Sequence, residues 1–273
     1  MAYDDFDKPS INKPLIGAAI AVAAAGLGGW LYWRSHHAPL PTVPVSAEPE
    51  AAAPEPAARI EHPVPASPDE AANAALPELN DSDKAISDAL GNAAAGGSLA
   101  RYLVPESVIR HIVATVDNLP RQKIAVDKRP VTPAAGAFIA DGDELHATLD
   151  KRNFRRYEPM MDVIRKADMQ RVAAVYLRFY PLFQKAYQDL GYPTGYFNDR
   201  LVSVIDMLLA TPQITGPIEL TRPNVMYIFA DPKLEALPAG QKLLIRMGAD
   251  DATAVKAKLM ELRAIITATP PKR

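Results

Sequence analysis

Apolar positions fall into two regimes along this chain. From Leu15 to Trp33 they form an unbroken run of nineteen residues without a charge, closed by Arg34. At 1.5 Å per residue a helix over this run covers about 29 Å, close to the roughly 30 Å hydrocarbon core of a bilayer. No polar face exists over the run, which excludes an ordinary half-buried helix. Trp30, Tyr32 and Trp33 gather at its end, where amphipathic rings mark a membrane–water interface. Two readings stay open: an uncleaved signal anchor, and a signal peptide cut near Ala23-Ala24-Ala25. The anchor is favoured because Asp4, Asp5 and Asp7 occupy the region where a signal peptide is positive, and because the apolar run continues past the cut. Lys8 and Lys13 before the run and Arg34 after it favour a cytoplasmic N-terminus. Gly17, Ala21, Ala25 and Gly29 form a small-residue stripe that permits close pairing of such helices.

The second regime begins near Asp81 and has helical spacing. Asp81 or Ser82 is placed to cap a helix ended by Gly91. Val108, Ile109, Ile112, Val113 and Val116 predict the next, closed by Asn118-Leu119-Pro120. Between Lys123 and Leu149 the period changes to alternation around Asp141-Gly142-Asp143, which predicts a hairpin. Asn153 is expected to cap a helix through Ala167, Asp168 one through Leu190, and Asn198 one carrying Leu201, Ile205 and Leu208. Pro181 is expected to kink the second of these. Ile218–Phe229 around Arg222-Pro223-Asn224 predicts a second hairpin, followed by a helix from Pro238 to Gly248 and a last one from Asp250 or Asp251. Val172, Val175, Tyr176, Phe179, Phe183 and Tyr187 share one face, and ten of the nineteen aromatic residues fall between Phe154 and Phe197, so the core is expected there. The expected fold is mainly α, a compact helical domain with one or two small β-hairpins.

Composition separates these regimes. Between Pro39 and Pro77 there are ten prolines, and no aromatic residue occurs between Trp33 and Tyr102. From Ala38 to Asn80 one basic residue, Arg59, faces seven acidic ones, whereas Asp81 to Arg273 holds 26 basic and 22 acidic. Such a stretch cannot bury enough apolar surface to offset its ordering entropy and reads as an acidic, semi-stiff tether. The expected organisation is a cytoplasmic tail over 1–14, a transmembrane helix over 15–33, a disordered Pro/Ala/Glu-rich linker over 34–80, a helical domain over 81–268 and a tail over 269–273. The chain has no cysteine, which excludes disulfides, thiolate metal sites and a cysteine nucleophile. No cofactor or metal motif is present: the five histidines lack metal-ligand spacing, and neither a GxSxG nor a phosphate-binding loop occurs.

The most unusual loop is Gly191 to Arg200. Tyr192 and Tyr196 have the chemistry to stack on a sugar or peptide, while Asn198, Asp199 and Arg200 supply hydrogen bonds. The simpler reading is an ordered helix connection. Asp199 and Asp206, seven apart with Ser203 between, share one side of a helix and are candidates for paired acid–base work, or for solvated and ion-paired positions. Arg121, Lys123, Lys128 and Arg129, with Lys151, Arg152, Arg155 and Arg156, form a candidate patch for an anionic polymer or lipid headgroup. Asp127, Asp141, Asp143, Glu144 and Asp150 sit among them, so local pairing is favoured.

Four stretches, VATVDNLPRQKI from Val113, GYPTGYFNDRLV from Gly191, IFADPKLEAL from Ile228 and GQKLLIRMG from Gly240, resemble a bacterial family catalogued as domain of unknown function 3014. The resemblance covers about Tyr102 to Ile266, and the N-terminal helix and tether are similar to the family's usual layout. It implies a protein anchored in the inner membrane of a Gram-negative bacterium; with the N-terminus cytoplasmic, the C-terminal domain is expected in the periplasm. It carries over no activity and no catalytic residue. The expected function is that of an interaction or scaffold module of the cell envelope, meeting an envelope protein or cell-wall component and no nucleic acid. The alternative is a hydrolase or lytic enzyme acting on glycan or peptide through carboxylates near Asp199.

Overall fold

A computed structural model of the chain describes residues 59–65, 76–93, 99–123, 125–143 and 146–268. The expected span Leu15–Trp33 lies outside the described residues. Among those described, no helix is long and apolar enough to cross a membrane.

The described part is mainly helical with one small antiparallel sheet. In chain order the helices are α1 (Asp83–Ala93), α2 (Val108–Asn118), α3 (Arg152–Arg155), α4 (Glu158–Lys166), α5 (Met169–Asp189), α6 (Phe197–Leu209), α7 (Pro232–Glu235), α8 (Ala239–Met247) and α9 (Ala249–Ile266). The strands are β1 (Ala140–Gly142), β2 (Ala147–Leu149), β3 (Glu219–Thr221) and β4 (Ile228–Phe229).

Helix α5 is the axis of the domain and packs against α1, α2 and α9. Asp168 starts it as the spacing predicts, accepting the main-chain N–H groups of Gln170 and Arg171. Pro181 lies inside it on the exposed side. The aromatic face is core: Tyr176, Phe179, Phe183 and Tyr187 are buried with Phe197 of α6, Val108, Ile109 and Val113 of α2, and Ile86 of α1. Phe183 and Phe197 stack at 5.8 Å with rings nearly parallel. Truncating such a ring to alanine removes both transfer energy and packing, about 3–5 kcal/mol.

Two predicted hairpins are present, and they join. β2 pairs with β3, Ala147 opposite Leu220, so the order is β1-β2-β3-β4 in a single sheet. Two-stranded hairpins this short are marginal alone. Joined, they bring Ala147, Leu149, Leu220 and Phe229 together under Ile245 of α8. A third cluster, Met161, Val204, Leu208, Leu244 and Met247, ties α4, α6 and α8 together.

Several boundaries differ from the sequence reading. α1 runs through Gly91 to Ala93 instead of stopping at the glycine. The helix expected from Asn153 to Ala167 is two, α3 and α4, and Asn153 caps neither. Its buried amide instead holds the hairpin, accepting from the Ile139 N–H (3.0 Å) and donating to the Ile139 carbonyl. Asn198 does not cap α6. Tyr196 precedes that helix, and Asn198 is fully buried in its first turn. The short α7, capped by Asp231, was not expected from the pattern.

Candidate functional site

The loop between α5 and α6 turns at Gly191, whose φ of 117° lies in the region favourable to glycine. Gln184, on the inner side of α5, fastens it: Nε2 donates to the Gly195 carbonyl (2.7 Å), and Oε1 accepts from the Phe197 N–H (2.9 Å) and from the Tyr180 hydroxyl (3.0 Å). Tyr192 stacks on Tyr187 at 4.5 Å, and Tyr196 lies against Tyr180 at 5.6 Å. Burial pushes the phenols of Tyr176, Tyr180 and Tyr187 up, so they stay protonated donors at any physiological pH.

The five loop candidates divide between two clusters. Tyr196, Asn198 and Asp199 face a piece of the stretch expected as linker. Asp199 accepts the main-chain N–H of Glu61 (3.1 Å) through Oδ2 and that of His62 (2.7 Å) through Oδ1. The Tyr196 hydroxyl accepts the N–H of Val64 (2.9 Å). Asn198 Nδ2 donates to the carbonyls of His62 (2.9 Å) and Ile266 (3.2 Å), while its Oδ1 accepts from the Tyr176 hydroxyl (3.0 Å).

Tyr192 and Arg200 meet a residue that the sequence reading did not single out, Asp117. Its side chain is 3% exposed. Arg121 Nη2 lies 2.6 Å from Oδ2, Arg200 Nη2 lies 3.0 Å from Oδ1, and the Tyr192 hydroxyl donates to Oδ2 at 3.3 Å. The hydrogen bond to Asp117 raises the Arg121 guanidinium further above its ordinary value. A signal existed: an acid in the last turn of a helix opposes the helix dipole and calls for a cation partner. Of the first basic group, Arg121 is the one at Asp117, and Lys128 lies 3.7 Å from Asp127. Lys123 is exposed, and Arg129 is half-buried with a contact of its own. In the second basic group, Arg152 pairs locally with Asp150 (2.6 Å) and Arg156 donates to the carbonyls of Ala135 and Gly136.

Asp199 and Asp206 go to different partners. Asp206 is held by Arg263 of α9 through Nε (2.5 Å) and Nη2 (2.9 Å), which keeps its carboxyl below the usual range. A cleft of about 700 Å³ lies elsewhere, lined by Asp141, Asp150, Lys151, Phe154 and Lys256 among others, and a smaller one adjoins Asp83, Ser107 and Arg110. Neither is lined by Asp199 or Asp206. Among the described residues no group of three or more His, Asp or Glu is arranged to hold a metal ion.

The four distinctive sequence stretches are joined to one another. Asp117 and Arg121 of the first meet Tyr192 and Arg200 of the second. The main-chain carbonyls of Leu119 and Arg121 accept from Gly240 (2.9 Å) and Ala239 (2.8 Å) at the start of α8, and Gln122 donates to the Ala236 carbonyl. Glu235 of the third takes Lys242 of the fourth at 2.7 Å and the Phe229 N–H at 3.0 Å. No curated protein and no solved structure matches the chain. Residues 108–263, the part this frame organises, match the family described as "Protein of unknown function (DUF3014)", and the chain belongs to that family.

Proposed function

We propose that the protein is an interaction module of the cell envelope, held in the inner membrane by Leu15–Trp33 with its helical domain in the periplasm. The observation that supports an interaction role is the use made of Asp199. Both of its oxygens accept main-chain N–H groups, and its neighbours Tyr196 and Asn198 engage the same segment. This is the chemistry of holding a polypeptide. The hydrolase alternative calls for a desolvated carboxylate facing a cleft near Asp199, and no observation favours it. The apolar N-terminal run and the prolines and acids after it support anchoring and reach.

Two measurements test this reading. A reporter fused to the C-terminus is active in the periplasm and silent in the cytosol; the reverse result ends the envelope assignment. A photo-crosslinking residue at exposed Pro193, in the loop, captures a defined envelope protein that one at exposed Met260 of α9 does not. Identical captures from both positions argue against a specific face.

A further inference from the structure

Residues 61–64 are gripped at the main chain. Moving along the segment, the N–H of Glu61 and the N–H of His62 go to Asp199, the carbonyl of His62 goes to Asn198, and the N–H of Val64 goes to Tyr196. Pro63, between them, has no N–H to satisfy. The chain bends at Glu61 and His62, which turns two successive N–H groups toward the one carboxylate, and burial alternates: His62 and Val64 are half-buried, Glu61 and Pro63 exposed. Ile60, just before, is 49% exposed. The face therefore recognises a bent main chain with a proline at one position and reads few side chains.

The floor of this site is built without the segment. Asn198 is fixed by Tyr176 and by the Ile266 carbonyl, Tyr196 rests on Tyr180, and Gln184 holds the loop at Gly195 and Phe197. Lifting residues 61–64 away leaves a carboxylate, a phenol oxygen and an amide hydrogen in place, ready for the same groups of another chain. Pre-set partners of this kind lower the ordering cost of binding.

We infer that Tyr196, Asn198 and Asp199 form a docking site for a short, proline-containing peptide segment bent at its gripped N–H pair, that Arg59–Pro65 is its in-chain occupant, and that a partner polypeptide presenting such a segment displaces it. This rests on the interaction-module reading and names the class of partner. A tethered occupant competes at an effective concentration on the order of mM over a short connection, and ten residues separate Pro65 from Leu76. The intact chain is thus self-occupied, and a partner must outcompete its own tether.

The test uses the full chain in detergent and a labelled synthetic peptide of residues 59–65, read by fluorescence anisotropy. A variant with 59–65 replaced by glycine and serine binds the peptide at least about tenfold more tightly than the wild-type chain does. Adding Asp199→Asn to that variant weakens binding at least about tenfold, because the amide keeps one acceptor and loses the charge. No saturable binding by a replaced chain with native circular dichroism overturns the inference, and so does equal binding by the wild type. Should the replaced chain not fold, trypsin supplies the reading. Arg59 is the one basic residue between Ala38 and Asn80, and cleavage after it requires the following residues to be free. Asp199→Asn in the otherwise intact chain is cut there several-fold faster; equal rates overturn the docking. These measurements on purified protein do not depend on the compartment, so a failed periplasmic assignment leaves them standing.

Discussion

Arg200 is bound twice to Asp117: its Nη2 lies 2.7 Å from the Asp117 main-chain carbonyl and 3.0 Å from the carboxylate Oδ1. The two residues are 83 positions apart in sequence. The contact fixes the first turn of α6 to the last turn of α2, and α6 is the helix that presents Asn198 and Asp199.

Asp117→Ala leaves Arg200, whose Nε is buried, without its carboxylate. Breaking a buried pair from one side costs up to 3–5 kcal/mol, and the partial exposure of both guanidinium groups reduces this to about 2–3 kcal/mol. Urea unfolding of the variant measures it, and a loss below about 0.5 kcal/mol contradicts a holding role for Asp117.

Gly195→Ala is expected to strain the loop. A Cβ there comes within 2.8 Å of Tyr187 Cε1 and 3.0 Å of Tyr192 Cβ, and the two rings are stacked and have little room to yield. Overpacking of this kind costs about 1–3 kcal/mol. The denaturation midpoint should fall, and trypsin cleavage after Arg59 should quicken as Tyr196 shifts. An unchanged midpoint shows that the rings move apart freely.

Glu235→Ala removes two contacts at once. It strips the carboxylate from Lys242, whose side chain is 10% exposed, and the acceptor from the Phe229 N–H. Burial raises the Glu235 carboxyl, yet the Lys242 and Phe229 hydrogen bonds outweigh it and the net shift is downward. The expected loss is about 2–4 kcal/mol. Glu235→Gln should recover part of it by retaining an acceptor for Phe229. Equal melting temperatures for the two variants would show that the acceptor does not matter.

Acid sensitivity should trace partly to Asp206. Its hydrogen bonds to Arg263, with a smaller contribution from the charge of His62, hold the carboxyl below its ordinary value of 3.8. A carboxyl depressed in the folded state stabilises above its unfolded value and loses that contribution as pH falls through the folded one. Asp206→Asn should therefore be less stable than wild type at pH 7, by about 1 kcal/mol or less for so exposed a pair. The two proteins should converge once pH falls below that folded value. A difference that is constant between these conditions rules out the linkage.

Much of the helical frame was legible because its signals are local. Asp168 at the start of α5 needs only the two N–H groups that follow it, and the spacing of Tyr176, Phe179, Phe183 and Tyr187 marks a buried face whatever lies opposite. The loop from Gly191 to Arg200 was legible as unusual for the same reason. Where the reading missed, the deciding partner was distant. Asn153 and Asn198 are good capping residues by type, but Ile139 and Tyr176 offer their amides buried bonds in the folded domain, and those contacts hold them in place of the caps. Short α3 and α7, of four residues each, leave too little periodicity to detect.

Residue type and spacing alone established a mainly helical domain centred on an aromatic face, small antiparallel hairpins, no thiol chemistry, and a loop worth attention. Those properties depend on neighbours a few positions away, where the chain's own geometry sets the contact. Folding in three dimensions chose which candidate residues meet. It sent Tyr192 and Arg200 to Asp117, gave Asp206 to Arg263, and laid Glu61–Val64 across Tyr196, Asn198 and Asp199. A main-chain N–H carries no sequence signature, so a site that recognises backbone becomes visible only when the backbone is seated in it.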